Sequence, residues 1–297
     1  MLPSVNEPYR FVEQSLFSLL HKCRLSDHLF QIQSQIIIHG LLQSRRLAPK
    51  SAIAFFESSN PQSARQLFDQ ILQPDTVLWN VMFKGSAEAG LHRETLLLFT
   101  QMKRRDVRPN LFTFPFVIKS CSMIPARMAG DQVHCFALKT GLRSNLFVGT
   151  SLIEMYAIKV GAGLAYKMFE DMPERNVVVW TAIIRAYIAV GDMKNAFNLF
   201  NQLEEHDVIV WGTMISAFIE HGDIATAEEL FASMPVRDVQ SWNTMLFGYA
   251  NVDFIGACER FFAIMPVKNV FSWNGLIQGH ARHAWCSRLG EMDPFVF

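Results

Sequence analysis

Apolar residues recur along most of the chain with the spacing of an amphipathic helix, and the helical stretches come in pairs. The segment WTAIIRAYIAVGD places apolar side chains at i, i+3, i+4 and i+7, and KNAFNLFNQLEE follows it after a short break. Gly90, Gly191 and Gly222 stand in equivalent breaks, Gly161 is displaced by one residue, and Asp253 replaces glycine in another. A tight turn between helices often requires the positive φ that glycine tolerates. The pattern therefore predicts a series of helix hairpins.

Tryptophan marks the period of these hairpins. The positions of Trp180, Trp211, Trp242 and Trp273 rise by 31 each time. Trp79 lies 101 before the first of them, a gap that two longer repeats of 35 and one of 31 would fill. We predict a leader at 1–12, two degenerate repeats at 13–75, and a truncated repeat with a divergent tail at 270–297. The six intervening repeats are predicted at 76–110, 111–145, 146–176, 177–207, 208–238 and 239–269.

A small residue followed by a large one characterises the second helix of several units. Ala165, Ala196 and Ala227 each precede a phenylalanine by four residues, which would let helices approach closely and fill the gap between them. We expect the tryptophans, phenylalanines and methionines to form the core. One hairpin cannot bury both faces of its helices, so neighbours must stack and create an extended concave groove. The predicted fold class is all-α, a right-handed superhelical solenoid of helix-turn-helix repeats.

Composition and motifs give no indication of an enzyme, a cofactor or a metal. Lys and Arg together number 27, as do Asp and Glu, so the net charge carries no signature of a polyanion partner. Apolar runs are too short to span a membrane. The sequence His92-Arg93-Glu94 matches the H-x-E part of a deaminase zinc site, but no P-C-x-x-C follows it. We interpret it as a solvated helix start. His280, His283 and Cys286 lie close to one another in the sequence, and we interpret this grouping as incidental and not as a metal site.

Several phrases of the sequence resemble one known family. VVVWTAIIRAYIAVGD, AEELFASMPVRDVQSWNTMLFGYA, FVGTSLIEMYA and FTFPFVIKSCS are similar to the long and short repeats of the PLS class of plant pentatricopeptide repeat proteins. Tetratricopeptide repeats, by contrast, keep to a single length of about 34 residues with a different pattern. The resemblance covers roughly residues 13–279. Because the repeat pattern stops after Gly279, the chain resembles a truncated relative without the C-terminal deaminase-like domain that many members carry.

The resemblance implies that each repeat binds one base of single-stranded RNA. In this family the fifth and last residues of a repeat read the base, and an apolar second residue wedges between bases. The implied reading pairs are Asn80 with Asn110 for a pyrimidine, Thr150 with Asn176 for adenine, Thr181 with Asp207 for guanine, and Asn243 with Asn269 for a pyrimidine. Pro115 with Asn145 and Gly212 with Asp238 would tolerate several bases, and Asn274 would favour a pyrimidine. The implied wedges are Val77, Phe112, Phe147, Val178, Ile209 and Phe271, with Gln240 as an exception.

Two alternatives stay open at this point. Asn, Asp or Thr near a helix start could simply be capping residues. The whole chain could instead be a peptide-binding or protein-binding scaffold of the tetratricopeptide kind, or a truncated product without function. The resemblance favours organellar RNA as the partner, together with editing or processing proteins, and no membrane or small-molecule ligand. It also implies location in the mitochondrion, with the chloroplast as the alternative.

Overall fold

The computed structural model describes residues 7–22, 26–125, 127–251 and 255–291, and all regular secondary structure within these ranges is α-helical. The chain divides into two compact units, residues 1–159 and 160–297. The first unit contains α1 (Glu7–Lys22), α2 (Ser26–Ile38), α3 (Leu47–Glu57), α4 (Pro61–Asp69), α5 (Thr76–Glu88), α6 (His92–Arg104), α7 (Thr113–Met123), α8 (Arg127–Lys139) and α9 (Leu146–Lys159). The second contains α10 (Ala162–Glu170), α11 (Val177–Ala189), α12 (Met193–Gln202), α13 (Val208–Glu220), α14 (Ile224–Ser233), α15 (Val239–Asn251), α16 (Ile255–Ile264) and α17 (Val270–Glu291).

Glycine ends the first helix of three hairpins, as the sequence predicted. Gly90, Gly191 and Gly222 have φ values of 75°, 77° and 80°. At Gly90 the chain reverses so that the next N–H donates to the carbonyl of Ser86 at 2.8 Å, which satisfies a carbonyl that the helix end leaves open. Ser59, in the equivalent turn of the preceding hairpin, adopts the same left-handed conformation with φ of 57°. Asp253 lies outside the described residues.

The joint between consecutive repeats is a phenylalanine packed against a tryptophan eleven residues later. The ring of Phe169 lies 4.8 Å from that of Trp180, nearly at right angles, which is the edge-to-face arrangement that aromatic rings favour. The same joint recurs as Phe68 with Trp79, Phe200 with Trp211, Phe231 with Trp242, and Phe262 with Trp273, at 4.6 to 5.0 Å. Ala165, Ala196 and Ala227, four residues before three of these phenylalanines, are completely buried, as expected.

The second helix of a hairpin ends in one of two ways. In the two longer predicted repeats it runs for 13 residues, and Asp106 or Gly141 then adopts a positive φ of 54° or 71°. In the shorter repeats it is only 9 or 10 residues long. There a basic side chain reaches back to the last carbonyls. The basic residues, each one repeat after the other, are Arg175, His206, Arg237 and Lys268.

The region predicted as a truncated repeat with a divergent tail is one continuous helix in the part that the structure describes. α17 continues past Gly279 to Glu291 as one helix of 22 residues. Ala284 occupies the position that glycine holds in the earlier turns, and alanine favours the continued helix over a left-handed turn. Trp273, expected in the core, is 53% exposed, because among the described residues α17 has neighbouring helices on one side only. Within the described ranges, no helix is both long and apolar enough to cross a bilayer.

Candidate functional site

The last residue of each of the six predicted repeats between 76 and 269 caps the backbone where the next repeat begins. Its side-chain Oδ1 accepts a hydrogen bond from the backbone N–H three residues further on, which is the usual bond of an N-cap. The capping interpretation considered from the sequence is therefore correct for the five that directly precede a helix, whereas Asn110 caps the turn that leads into α7, which begins at Thr113. The donors are Thr113 for Asn110, Val148 for Asn145, Val179 for Asn176, Val210 for Asp207, Ser241 for Asp238 and Ser272 for Asn269, at 2.8 to 3.5 Å.

Capping uses only one of the two polar atoms at the end of each of these side chains. In Asn110 and Asn269 the cap occupies Oδ1, and Nδ2 forms no hydrogen bond to any described residue. In Asp207 the cap likewise occupies Oδ1, and Oδ2 is left open within the described chain. An asparagine at the end of a repeat thus presents hydrogen-bond donors, whereas an aspartate presents an acceptor. Capping and reading are compatible in one side chain.

In two repeats the fifth and last side chains touch directly. Asn80 Nδ2 donates to Asn110 Oδ1 at 3.0 Å, and Asn243 Nδ2 donates to Asn269 Oδ1 at 3.3 Å. A hydroxyl from the next repeat joins each pair: Thr113 donates to Asn80 Oδ1 at 2.7 Å, and Ser272 donates to Asn243 Oδ1 at 2.8 Å. The sequence reasoning missed both hydroxyls.

The threonines at position five behave differently. The hydroxyl of Thr181 donates to the carbonyl of Val177 at 2.7 Å, and that of Thr150 donates to the carbonyl of Leu146, also at 2.7 Å. With its proton committed to its own helix, each hydroxyl oxygen can still accept a hydrogen bond. These threonines therefore present an acceptor where Asn80 and Asn243 present an amide.

The remaining fifth positions carry little or no reading chemistry. Pro115 has no polar side-chain atom, and Gly212 has no side chain at all. A Cβ built on Gly212 would meet nothing within 4 Å. Gly212 instead lines a cleft of about 550 Å³ between α11, α13 and α15, together with Ile209 and Asp238. Asn274 is exposed on α17.

Six apolar side chains at the second position of their repeats are exposed to a similar degree. Large apolar side chains are usually buried, so within each unit this regular series is available to a flat apolar partner such as a base. Gln240 occupies the equivalent place in its repeat and is also exposed. The six are Val77, Phe112, Phe147, Val178, Ile209 and Phe271, between 58% and 67% exposed.

The other candidate chemistry has structural partners. His92 begins α6, as expected, and its Nδ1 lies 3.4 Å from the Ser120 hydroxyl, while Glu94 lies 3.5 Å from Arg65. His280 lies 3.3 Å from Glu259. Burial raises the pKa of the Cys121 thiol to about 11. Among the described residues no group of three or more His, Cys, Asp or Glu side chains could hold a metal.

Repeated helix hairpins with a capping residue before each first helix define a helical-repeat protein, and comparison with known proteins identifies the kind. A sequence profile described as "PPR repeat family" matches residues 74–123, where PPR stands for pentatricopeptide repeat. A profile described as "PPR repeat" matches residues 178–208, 209–239 and 240–270, each beginning one residue after a repeat predicted from the sequence. The chain belongs to the pentatricopeptide repeat family.

Relatives and a solved structure agree with this assignment. A putative pentatricopeptide repeat-containing protein of Arabidopsis thaliana is 32% identical over 168 residues, 55% of this chain and 29% of the relative. Two chloroplastic pentatricopeptide repeat-containing proteins of the same plant are 40% and 33% identical, over 42% and 60% of this chain and 15% and 26% of their own. The chain thus spans less than a third of the length of these relatives.

The crystal structure of the pentatricopeptide repeat protein PPR10 from maize matches with a TM-score of 0.62 at 16% identity, over 81% of this chain and 38% of that one. This similarity confirms the predicted fold class, an all-α solenoid of pentatricopeptide repeats.

Proposed function

We propose that this chain binds single-stranded RNA in an organelle by reading one base per repeat, and that partner proteins recruited to it carry out editing, processing or other modification of the bound transcript. The occurrence of a longer repeat, as at 76–110, beside a shorter one, as at 177–207, supports assignment to the PLS class of the family. Two of the relatives described above are named chloroplastic, which supports an organelle as the location.

The observation that carries this proposal is the polar atom that each helix cap leaves open. Adenine presents an acceptor, N1, on its Watson–Crick edge, and the Nδ2 of a terminal asparagine such as Asn176 is a suitable donor. Guanine presents donors at N1 and N2, and the Oδ2 of Asp207 is a suitable acceptor. The same cap geometry therefore supports adenine next to Asn176 and guanine next to Asp207.

The exposed apolar series supports a nucleic-acid partner further. A base has two flat faces that stack on apolar and aromatic side chains, largely independently of sequence. The second residue of each repeat lies three residues before the fifth, so on a helix the two share one face. A base held at its edge by the fifth residue could therefore lie between the second residues of adjoining repeats.

Basic residues stand one turn beyond the reading positions in three repeats. Lys84, Lys119 and Arg185 each lie four residues after a fifth position, and all three are exposed. Four residues along a helix returns to the same face, so these cations can reach the phosphates of an RNA that is read there. Their presence supports RNA binding despite the zero net charge of the chain.

The proposal is tested with a short RNA of sequence pyrimidine-any-adenine-guanine-any-pyrimidine, 5′ to 3′, compared with a scrambled RNA and the corresponding DNA. We expect preference for the designed RNA, and a binding constant whose logarithm falls with the logarithm of salt with a slope of about −2 if three phosphates are contacted. A folded sample that binds none of the three nucleic acids would overturn the proposal and favour a peptide-binding scaffold, whose apolar groove would depend little on salt.

A further inference from the structure

We infer that the buried hydroxyls of Thr113 and Ser272 are positioning residues that set the direction of the base-reading amides of Asn80 and Asn243. This inference rests on the proposed function and adds a specificity residue, the third residue of the following repeat, to the second, fifth and last. Each hydroxyl belongs to the repeat after the amide that it contacts, 33 positions away in one case and 29 in the other.

The hydrogen bonds among Asn80, Asn110 and Thr113 determine which partner the nitrogen and the oxygen of the Asn80 amide each face. Asn110 Oδ1 must be an oxygen, because it accepts from the backbone N–H groups of Phe112 at 3.0 Å and Thr113 at 3.2 Å. The Asn80 atom that lies 3.0 Å from this oxygen must then be the donor, Nδ2. Consequently Asn80 Oδ1 is the atom that faces the Thr113 hydroxyl.

The hydroxyl of Thr113 has two acceptors within reach, Asn80 Oδ1 at 2.7 Å and Asn110 Oδ1 at 3.2 Å. Its oxygen accepts from the backbone N–H of Asn110 at 3.1 Å. Its proton is directed at Asn80 Oδ1, because Asn110 Oδ1 is farther away and already accepts from three N–H groups. Thr113 is completely buried, so no water competes for this bond. The amide of Asn80 is therefore held between two partners and keeps one proton on Nδ2 and one lone pair on Oδ1 for a base.

The second network repeats the first in the other unit of the chain. Ser272 is also completely buried, accepts from the N–H of Asn269 at 3.1 Å and donates to Asn243 at 2.8 Å. A donor and an acceptor in fixed order suit a pyrimidine edge, and a flipped amide would present them in the reverse order. Pre-organisation of this kind lowers the cost of ordering the side chain when the base binds.

Ser241 provides a matched control within the chain. It holds the same third position and is also buried, but its hydroxyl donates to the backbone carbonyl of Asp238 at 2.8 Å. The fifth residue of the preceding repeat is Gly212, which has no amide to orient. Its hydroxyl thus contributes to the local structure without contacting a reading side chain.

The experiment measures base selectivity at single nucleotides of the designed RNA. Four RNAs carry each base at the nucleotide paired with repeat 76–110, and four more vary the nucleotide paired with repeat 177–207. For Thr113→Val we expect the preference for pyrimidine at the first site to fall roughly 2- to 10-fold, since one buried hydrogen bond is lost, with no change at the second site. Thr113→Ser should retain the wild-type preference, and Ser241→Ala should change neither site.

The outcomes separate this inference from the proposed function. A selective wild-type chain whose Thr113→Val variant keeps full selectivity overturns the inference alone. A wild-type chain with no selectivity at any nucleotide overturns the proposed function and the inference together. Ser272→Ala, measured at the nucleotide paired with repeat 239–269, gives the same decision independently should Thr113→Val fail to fold, with Ser272→Thr as its conservative control.

Discussion

Repeats 76–110 and 177–207 share the same first helix and aromatic joint, but their second helices end differently. Both begin with a first helix of 13 residues, capped by the last residue of the repeat before, and both receive a phenylalanine against their tryptophan. The second helix of the longer repeat has 13 residues and ends in a left-handed Asp106. That of the shorter has 10 residues, and His206 reaches back to the carbonyl of Phe200 at 2.7 Å. The difference teaches that repeat length follows from how the second helix ends.

The aromatic joint is common to both repeats and should be the costliest feature to remove. We expect Phe169→Ala to lower the free energy of unfolding by about 3–5 kcal/mol, because the cavity opens against Trp180. Phe68→Ala should have a similar effect in the other unit. Chemical denaturation measures both, and Lys167→Ala, an exposed change on the same helix as Phe169, should cost no more than about 0.5 kcal/mol.

The proposed reading pairs of the two repeats differ chemically, being Asn80 with Asn110 in one and Thr181 with Asp207 in the other. Replacing one atom of Asp207 should change the base that the second pair prefers. Asp207→Asn replaces the open acceptor with a donor and keeps the cap on Val210. We expect the preferred base at that nucleotide to change from guanine to adenine, a discrimination of about 1–3 kcal/mol, with stability nearly unchanged. Binding to RNAs that vary at this nucleotide measures the change. Asp238→Asn, whose repeat has Gly212 at position five, should leave the preferences unaltered.

Repeat 208–238, which has Gly212 at its fifth position, should gain a base preference when a polar side chain is placed there. Gly212→Thr would create a threonine and aspartate pair like that of Thr181 and Asp207, and open space awaits the new Cβ. We expect a new guanine preference at that nucleotide, again of about 1–3 kcal/mol. Gly212→Ala fills the space without a hydroxyl and should produce none. Equal binding of all four bases by the threonine variant would contradict this reading of the pair.

The basic side chain that binds the last carbonyls of the second helix in the shorter repeats should contribute moderately to the free energy of unfolding. Arg237 donates to the carbonyls of Phe231 and Ala232 and lies over the Phe231 ring at 5.2 Å. We expect Arg237→Ala to destabilise the chain by about 0.5–1 kcal/mol, through lost contacts with the negative end of the helix. Arg237→Lys should recover most of this, because Lys268 serves the same purpose one repeat later. Thermal or chemical unfolding provides the comparison.

The left-handed residue that ends the second helix of the longer repeat should give the smallest change in stability, and its replacement by glycine should increase stability. Asp106→Gly should stabilise the chain by about 0.5 kcal/mol, because glycine adopts φ of 54° without the crowding of a Cβ. Gln70→Gly, at the end of α4 where φ is −83°, should instead lower stability, since there glycine adds freedom to the unfolded chain without relieving strain. Stabilisation by both changes would show that conformation at the helix end is not the deciding factor.

The helices, their turns and the core positions of the recurring aromatic residues could be predicted from the sequence because each depends on residues close together or one period apart. Residues equivalent to Gly90 and Trp79 recur with the period of the repeat, so their structural roles can be inferred from the sequence alone. The contact between Thr113 and Asn80 could not be predicted. Threonine is only one of several residues found at its position, and its partner lies in the preceding repeat, 33 positions away. The exposure of Trp273 likewise depends on neighbours that its own repeat does not contain.

The sequence also could not show that a terminal residue caps a helix and still leaves a polar atom open. Asn or Asp before a helix predicts a cap as readily as a reading residue, and the letters give no basis for choosing. The structure shows that the cap engages one atom and leaves the other open, at Asn110 as at Asp207. The assignment of these residues to particular bases stays a prediction.

The aromatic joint also gives the chain a set of built-in optical probes. Each joint places one indole against one phenylalanine ring of the preceding repeat, so fluorescence from a single tryptophan reports whether that one joint is closed. Trp79 is fully buried and should emit at short wavelength, whereas Trp273 is half exposed and should emit further to the red. Variants retaining one indole at a time would reveal whether the stack opens joint by joint or all at once.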